Sequence, residues 1–256
     1  MNTPESVAAP LYRRTRGRGP DLLLLHGWGF HSEVWAQCQA ALAKRYRVTV
    51  IDLPGHGRSI GAEPDDLQGW VERLCHDLPA AVWVGWSLGG LVALAAAQRA
   101  TSKVRGVIAV ASSPRFVCAP DWPHALAPEV LDAFADELER DYRKTLTRFL
   151  ALQLRGDDAG HAELRRLREL MFARPPSPEG LRAGLRILRE TDLRMDRSAP
   201  VCPVRYILGE RDALVPVEVA ADLGTAPVSV IEGAGHAPFV SHPARFLEAL
   251  NEALDG

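Results

Sequence analysis

Residues 84–91 read VGWSLGGL and set one hydroxyl, that of Ser87, between Gly85 and Gly89. A serine hydroxyl is a poor attacker at its own pKa, so nucleophilic chemistry requires a base and a group that orients the base. Downstream, GERDALVP carries Asp212 and EGAGHAPF carries His236. Together the three could form an acyl-transfer relay: Ser87 attacks, His236 takes and returns the proton, and Asp212 orients the imidazole and stabilises its charged form. Singly, each has a plainer role. Asp212 reads equally as a turn-former or helix cap, His236 as a surface histidine, and the glycines as a loose turn. With 21 Gly and 11 Ser in 256 residues, chance alone supplies a G-x-S-x-G roughly 0.07 times, so the pattern needs support from its surroundings.

The surroundings supply it. Residues 81–84 (AVWV) form a short apolar run of strand type, and 88–99 (LGGLVALAAAQR) are rich in helix formers. Ser87 falls at the junction, where a strand turning sharply into a helix leaves the serine exposed at the top of a sheet. Side chains at 85 and 89 would collide where strand and helix press together, which gives both glycines a physical reason. Further strand-like runs lie at 22–25, 48–52, 104–110, 204–208 and 228–231, several of them nearly continuous in Val, Ile and Leu. Helical patterns lie between and after them at 32–45, with Ser32 as its N-cap, at 67–78 and at 242–254. This alternation predicts an α/β fold, a mostly parallel central sheet flanked by helices. Asp212 and His236 then follow the strands at 204–208 and 228–231, on the sheet edge where α/β sites form. From about 114 to 189 the strand signal stops. Helical stretches at 128–154 and 162–172, punctuated by Pro175, Pro176 and Pro178, predict a helical cap (114–189) inserted into a core made of 1–113 and 190–256.

Acyl transfer also needs donors for an oxyanion. The amide after the nucleophile, that of Leu88, is one, and the run at 22–25 leads into HGWG, where the amide of Trp28 is the other and its indole lines the pocket. His26 reads as a loop-shaping residue, and His56, in DLPGHGRS, as part of a tight turn.

Composition narrows the class. The chain is 47% hydrophobic with a formal net charge of −2, which argues against a general nucleic-acid binder. No stretch has the length of a membrane span, the N-terminal residues lack an apolar signal core, and a cytoplasmic monomer is expected. Cys38, Cys75, Cys118 and Cys202 are scattered without a C-x-x-C pair, so they read as buried thiols, and no metal or other cofactor is expected. Charge is uneven: residues 143–189 hold eleven basic and five acidic side chains, leaving that stretch at +6 and the rest of the chain at −8.

The strings LLHGWG, DLPGHGRS, GWSLGG, ASSP, FLALQ and HAPFVSHP, spread from Leu24 to Pro243, resemble the pimeloyl-[acyl-carrier protein] methyl ester esterases of biotin synthesis, within the α/β-hydrolase superfamily. The HG, GHGxS and G-x-S-x-G elements are shared across that superfamily; HGWG combined with GWSLGG and FLALQ is narrower. The resemblance implies an α/β-hydrolase fold, the triad Ser87, Asp212 and His236, and an acyl site bordered by Trp28 and Leu88. It also implies a cap wall of Phe149, Leu150, Ala151, Leu152 and Gln153, and docking of the carrier protein on Lys144, Arg148 and Arg165. On the residues alone, 149–153 read equally as a helix face packed on the core with Gln153 solvated. The implied reaction is hydrolysis of a methyl ester on a carrier-bound pimeloyl chain, with release of methanol. Other readings are a broad small-ester esterase, a C–C bond hydrolase with the same triad, and a catalytically silent receptor of the same fold.

Overall fold

Six apolar runs become the six parallel strands of one sheet. They are β2 (Asp21–Leu25), β3 (Arg47–Ile51), β4 (Ala81–Trp86), β5 (Val104–Val110), β6 (Val204–Gly209) and β7 (Val228–Ile231), and a seventh strand, β1 (Arg13–Arg16), adds at one edge. The sheet order is β1-β3-β2-β4-β5-β6-β7, with β1 antiparallel to β3 and every other pair parallel. This computed structural model describes residues 10–61, 66–76, 78–99, 102–153, 155, 161–194 and 202–256. β1 reads RRTR and was not foreseen. As an edge strand it exposes three of its four residues, and its charge discourages pairing with another chain.

The core helices are α1 (Ala36–Leu42), α2 (Leu67–His76), α3 (Leu88–Arg99) and, after the short α8 (Pro238–Ser241), α9 (Pro243–Asp255). Every residue of α3 from Leu88 to Ala97 is buried, as expected of a helix apolar on all sides and covered on all sides. The helical pattern at 32–45 divides into a 3₁₀ turn (Ser32–Trp35) followed by α1, and its N-cap is His31 rather than Ser32. The His31 ring accepts from the Glu33 N–H at 3.4 Å.

Between β5 and β6 the chain forms α4 (Pro128–Leu138), α5 (Tyr142–Gln153), α6 (His161–Ala173) and α7 (Pro178–Glu190). The pattern at 128–154 is therefore two helices. The break follows from Asp141, whose side chain accepts the Lys144 N–H at 3.0 Å and so starts a new helix. At the neck of this segment the outgoing and returning chains are tied: Leu193 N–H donates to Pro114 O at 3.0 Å, and Asp192 accepts from Arg115 and Arg194. Those cations hold the Asp192 carboxyl well below the usual carboxylate range.

All four cysteines are free; Cys38 is buried, whereas Cys75, Cys118 and Cys202 are half-buried rather than buried. Burial pushes the Cys38 thiol up to about 12. Among the described residues no helix is long and apolar enough to cross a membrane.

Candidate active site

Ser87 is the first residue after β4 and has a φ of 54°, a left-handed value that L side chains rarely adopt. Main-chain bonds hold it there: its N–H donates to Val110 O at 2.9 Å, and its carbonyl accepts from Gly90 N–H at 2.9 Å and Leu91 N–H at 3.1 Å. The glycines on either side permit the turn. A Cβ on Gly85 would stand 2.2 Å from Gly89 O, and one on Gly89 2.6 Å from His26 O, so any side chain there would push strand, helix and neighbouring loop apart.

Asp212 and His236 leave β6 and β7 on the same edge of the sheet, and their side chains meet. Asp212 Oδ2 lies 2.8 Å from His236 Nδ1, with both side chains fully shielded from solvent. The other carboxylate oxygen accepts the N–H groups of Leu214 at 2.8 Å and Val215 at 3.0 Å. A carboxylate held this way only accepts, so Nδ1 carries the proton and Nε2 the lone pair. Nε2 is buried and has no hydrogen-bond partner among the described residues. The His236 loop is drawn onto the serine turn through the residue before Ser87: Trp86 Nε1–H donates to His236 O at 2.6 Å. An oriented imidazole with an uncommitted Nε2 can take a proton from a hydroxyl presented to it.

Two main-chain donors border this group. Leu88 is the first residue of α3, where an N–H has no acceptor within the helix. Trp28 sits inside the turn closed by Phe30 N–H to Gly27 O at 3.3 Å, in which its own N–H takes no part. Gly29, with a φ of 79°, supplies the left-handed position that turn needs, and Gly27 faces the turn at 86–87, since a Cβ there would stand 3.2 Å from Ser87 Cβ. The preceding His26 shapes the loop. Its Nδ1 pairs with Gly27 O at 2.8 Å and its Nε2 accepts the Leu53 N–H at 2.9 Å, so the ring is neutral. Burial, with His56 adding to it, lowers the His26 pKa to about 3. His56 lies in a tight turn between Gly55 and Gly57, both at positive φ.

The cap closes over these loops. Trp28 is fully buried, its Nε1–H donates to Leu181 O of α7 at 2.9 Å, and its ring meets Phe149 of α5 edge-on at 4.7 Å. The stretch 149–153 divides by helical period: Phe149, Leu150 and Gln153 are buried, whereas Ala151 is exposed and Leu152 half-buried. Ala151 and Leu152 line an outer groove with Phe134 and Arg148, away from the buried face. Gln153 is not solvated; it is 1% exposed, both side-chain polar atoms are buried without a partner among the described residues, and its carbonyl accepts the His236 N–H at 3.1 Å. Lys144 and Arg148 are exposed and share Glu137 of α4 at 3.5 and 3.1 Å. Arg165 is exposed on α6 with no carboxylate partner among the described residues.

Several supporting groups escaped the sequence. Ser112 Oγ–H donates to Ser87 O at 2.8 Å, and its neighbour Ala111 has a φ of 44°. The ASSP string contains this serine, yet nothing in it announces a hydrogen bond to a residue 25 positions away. Asp52, wholly buried, accepts the N–H groups of Ser32 at 2.7 Å and Arg58 at 2.8 Å and so ties together the loops after β2 and β3. Its place before a Pro-Gly turn was a usable signal, since Asp commonly accepts from nearby backbone there. Among the described residues no group of His, Cys, Asp and Glu could hold a metal ion.

This geometry agrees with what the chain is similar to. The model of the α/β hydrolase family matches residues 22–249. The pimeloyl-[acyl-carrier protein] methyl ester esterase of Sodalis glossinidius (strain morsitans) is 43% identical over 94% of this chain and 96% of its own. The protein of that name from Xanthomonas axonopodis pv. citri (strain 306) is 46% identical over 91% of this chain and 94% of its own. Among solved structures, an esterase from Exiguobacterium antarcticum superposes with a TM-score of 0.86 at 21% identity, covering 96% of each chain, a likeness of fold. A stretch of likeness running through β2, the serine turn, the cap and the histidine loop leaves one assignment: the chain belongs to the α/β-hydrolase family and, within it, to the pimeloyl-[acyl-carrier protein] methyl ester esterases.

Proposed function

We propose that this protein is a serine carboxylesterase that hydrolyses the methyl ester of a pimeloyl chain carried on acyl-carrier protein, releasing methanol. Ser87 Oγ attacks the ester carbonyl while His236 Nε2 takes its proton, and the oxyanion is held by the N–H groups of Leu88 and Trp28. The imidazolium, stabilised by Asp212, returns the proton to the methoxy oxygen, and methanol leaves. Water, activated by the same imidazole, then releases the acid from Ser87. The cap residues Phe149, Leu150 and Gln153, on the buried face of α5, enclose the acyl chain, and the basic stretch 143–189 receives an acidic carrier protein on Lys144, Arg148 and Arg165.

The observation that carries the chemistry is the buried His236–Asp212 pair with its uncommitted Nε2 beside the turn of Ser87. The substrate is supported by full-length likeness to esterases named for that carrier-bound methyl ester. A phosphonate ester that imitates the tetrahedral intermediate tests the chemistry. It should modify Ser87 alone, in the wild type and not in Ser87→Ala; modification elsewhere, or none in an enzyme that turns over esters, contradicts the assignment.

A further inference from the structure

One cap residue lies against the side chains of both residues whose N–H groups would face the oxyanion. Gly184 stands in the middle of α7, and a Cβ there would lie 2.6 Å from Trp28 Cδ1, 3.1 Å from Trp28 Nε1 and 3.1 Å from Leu88 Cδ2. Glycine is among the poorest residues for a helix interior, and Gly184 has no positive φ that calls for it. What it supplies is the absence of a side chain. One turn earlier on the same helix, Leu181 O accepts the Trp28 Nε1–H at 2.9 Å, and Phe149 meets the indole edge-on from α5. Three cap residues therefore hold a ring that belongs to a core loop. The indole is rigid and hydrogen-bonded, so it cannot give way to an added methyl as the end of a flexible side chain would.

We propose that Gly184 is a positioning residue: the turn of α7 from 181 to 184 seats the Trp28 indole and the Leu88 side chain, and through them the cap holds the two oxyanion N–H groups in register with Ser87. The inference rests on the ester-hydrolase reading above. It makes the cap part of the catalytic apparatus as well as a surface for the carrier. Oxyanion donors act through small differences in placement, so a displaced ring that drags its own main chain is expected to act on kcat. A glycine needed only for room in an acyl pocket would act on long acyl chains alone.

The test compares wild type, Gly184→Ala, Trp28→Phe and the double variant on an acetyl ester and on a long-chain acyl ester of the same chromogenic alcohol. Gly184→Ala should lower kcat about tenfold on both esters while KM changes much less, the signature of an interaction made in the transition state. In the Trp28→Phe background, where a smaller ring can yield, the further loss from Gly184→Ala should shrink to about threefold or less. Unchanged kcat, a loss confined to the long ester, or the same loss in both backgrounds overturns the proposal. Should Gly184→Ala not fold, Trp28→Phe alone decides: it forfeits the bond to Leu181 and must lower kcat on both esters. Wild type that cleaves neither ester would instead contradict the hydrolase reading itself.

Discussion

Ser87 occupies a backbone conformation that costs an L residue about 1–2 kcal/mol, and the surrounding bonds to Val110, Gly90, Leu91 and Ser112 keep it there. A hydroxyl raised on such a turn is useful only if it reacts, which leads to a paired expectation. Ser87→Ala and Ser87→Gly should both lower ester kcat/KM by about 10³-fold or more while remaining folded. Thermal melts should place Ser87→Gly at least as high as Ser87→Ala, because only glycine adopts that φ without strain. Near-wild-type turnover by either variant would remove Ser87 from the mechanism. His26 permits a separate test, on stability. Its folded pKa is lowered to about 3, so between that value and about 6.5 the unfolded chain binds a proton that the folded one does not. Stability must therefore fall as pH drops through this window, by up to about 1.4 kcal/mol per pH unit from this residue. His26→Asn should flatten denaturant-derived ΔG against pH there by up to about one proton; an unaltered slope would mean that the ring is already charged in the native state.

At the level of elements, the central parallel strands such as β2 and β5 were legible because both faces are covered, which writes an unbroken apolar run such as LLLL or VIAV into the chain. The serine turn was legible for a similar reason: Gly85 and Gly89 are required by contacts within a few residues of themselves or with the adjoining loop. β1 was not legible, since an exposed edge strand of the sequence RRTR has no buried face to impose a pattern. The break between α4 and α5 carries no Gly or Pro, only the capping Asp141, and α7 announced itself no more loudly than by Ser177 ahead of Pro178. The buried and exposed sides of 149–153 follow from the 3.6-residue period once α5 is known to start at Tyr142. Helices α5 and α6 also present the residues proposed for carrier docking. Reversal of charge in the double variant Arg148→Glu and Arg165→Glu should lower kcat/KM for a carrier-bound ester severalfold or more, while a small free ester is hydrolysed almost normally. Arg148 shares Glu137 with Lys144, so Arg165, lacking such a partner among the described residues, should account for the larger part. Equal losses on both substrates, or none on either, would end the docking assignment.

Across the whole molecule, charge and topology point the same way. The sheet brings Ser87, Asp212 and His236 to one edge from residues up to 149 positions apart, and the cap rests on that edge through hydrogen bonds to the active-site loops themselves: Gln153 O to His236, Leu181 O to Trp28 and Leu170 O to His31. None of these was readable from sequence, because each pairs a main-chain carbonyl, identical in every residue, with a distant donor. Residues 143–189, which make those bonds, carry a net charge of +6 in a chain that is −2 in total. Attraction between that surface and an acidic carrier would act mainly on the association rate and weaken with added salt, since exposed charges are screened over about 8 Å at physiological ionic strength. The central claim, hydrolysis of the methyl ester on a carrier-bound pimeloyl chain, is tested most directly by intact-mass spectrometry of methyl pimeloyl-acyl-carrier protein incubated with the enzyme. The account predicts a carrier that has exchanged its methyl group for a proton and kept its thioester, with wild type and not with Ser87→Ala. A carrier that keeps its methyl group, or one that loses the whole acyl chain, would contradict it.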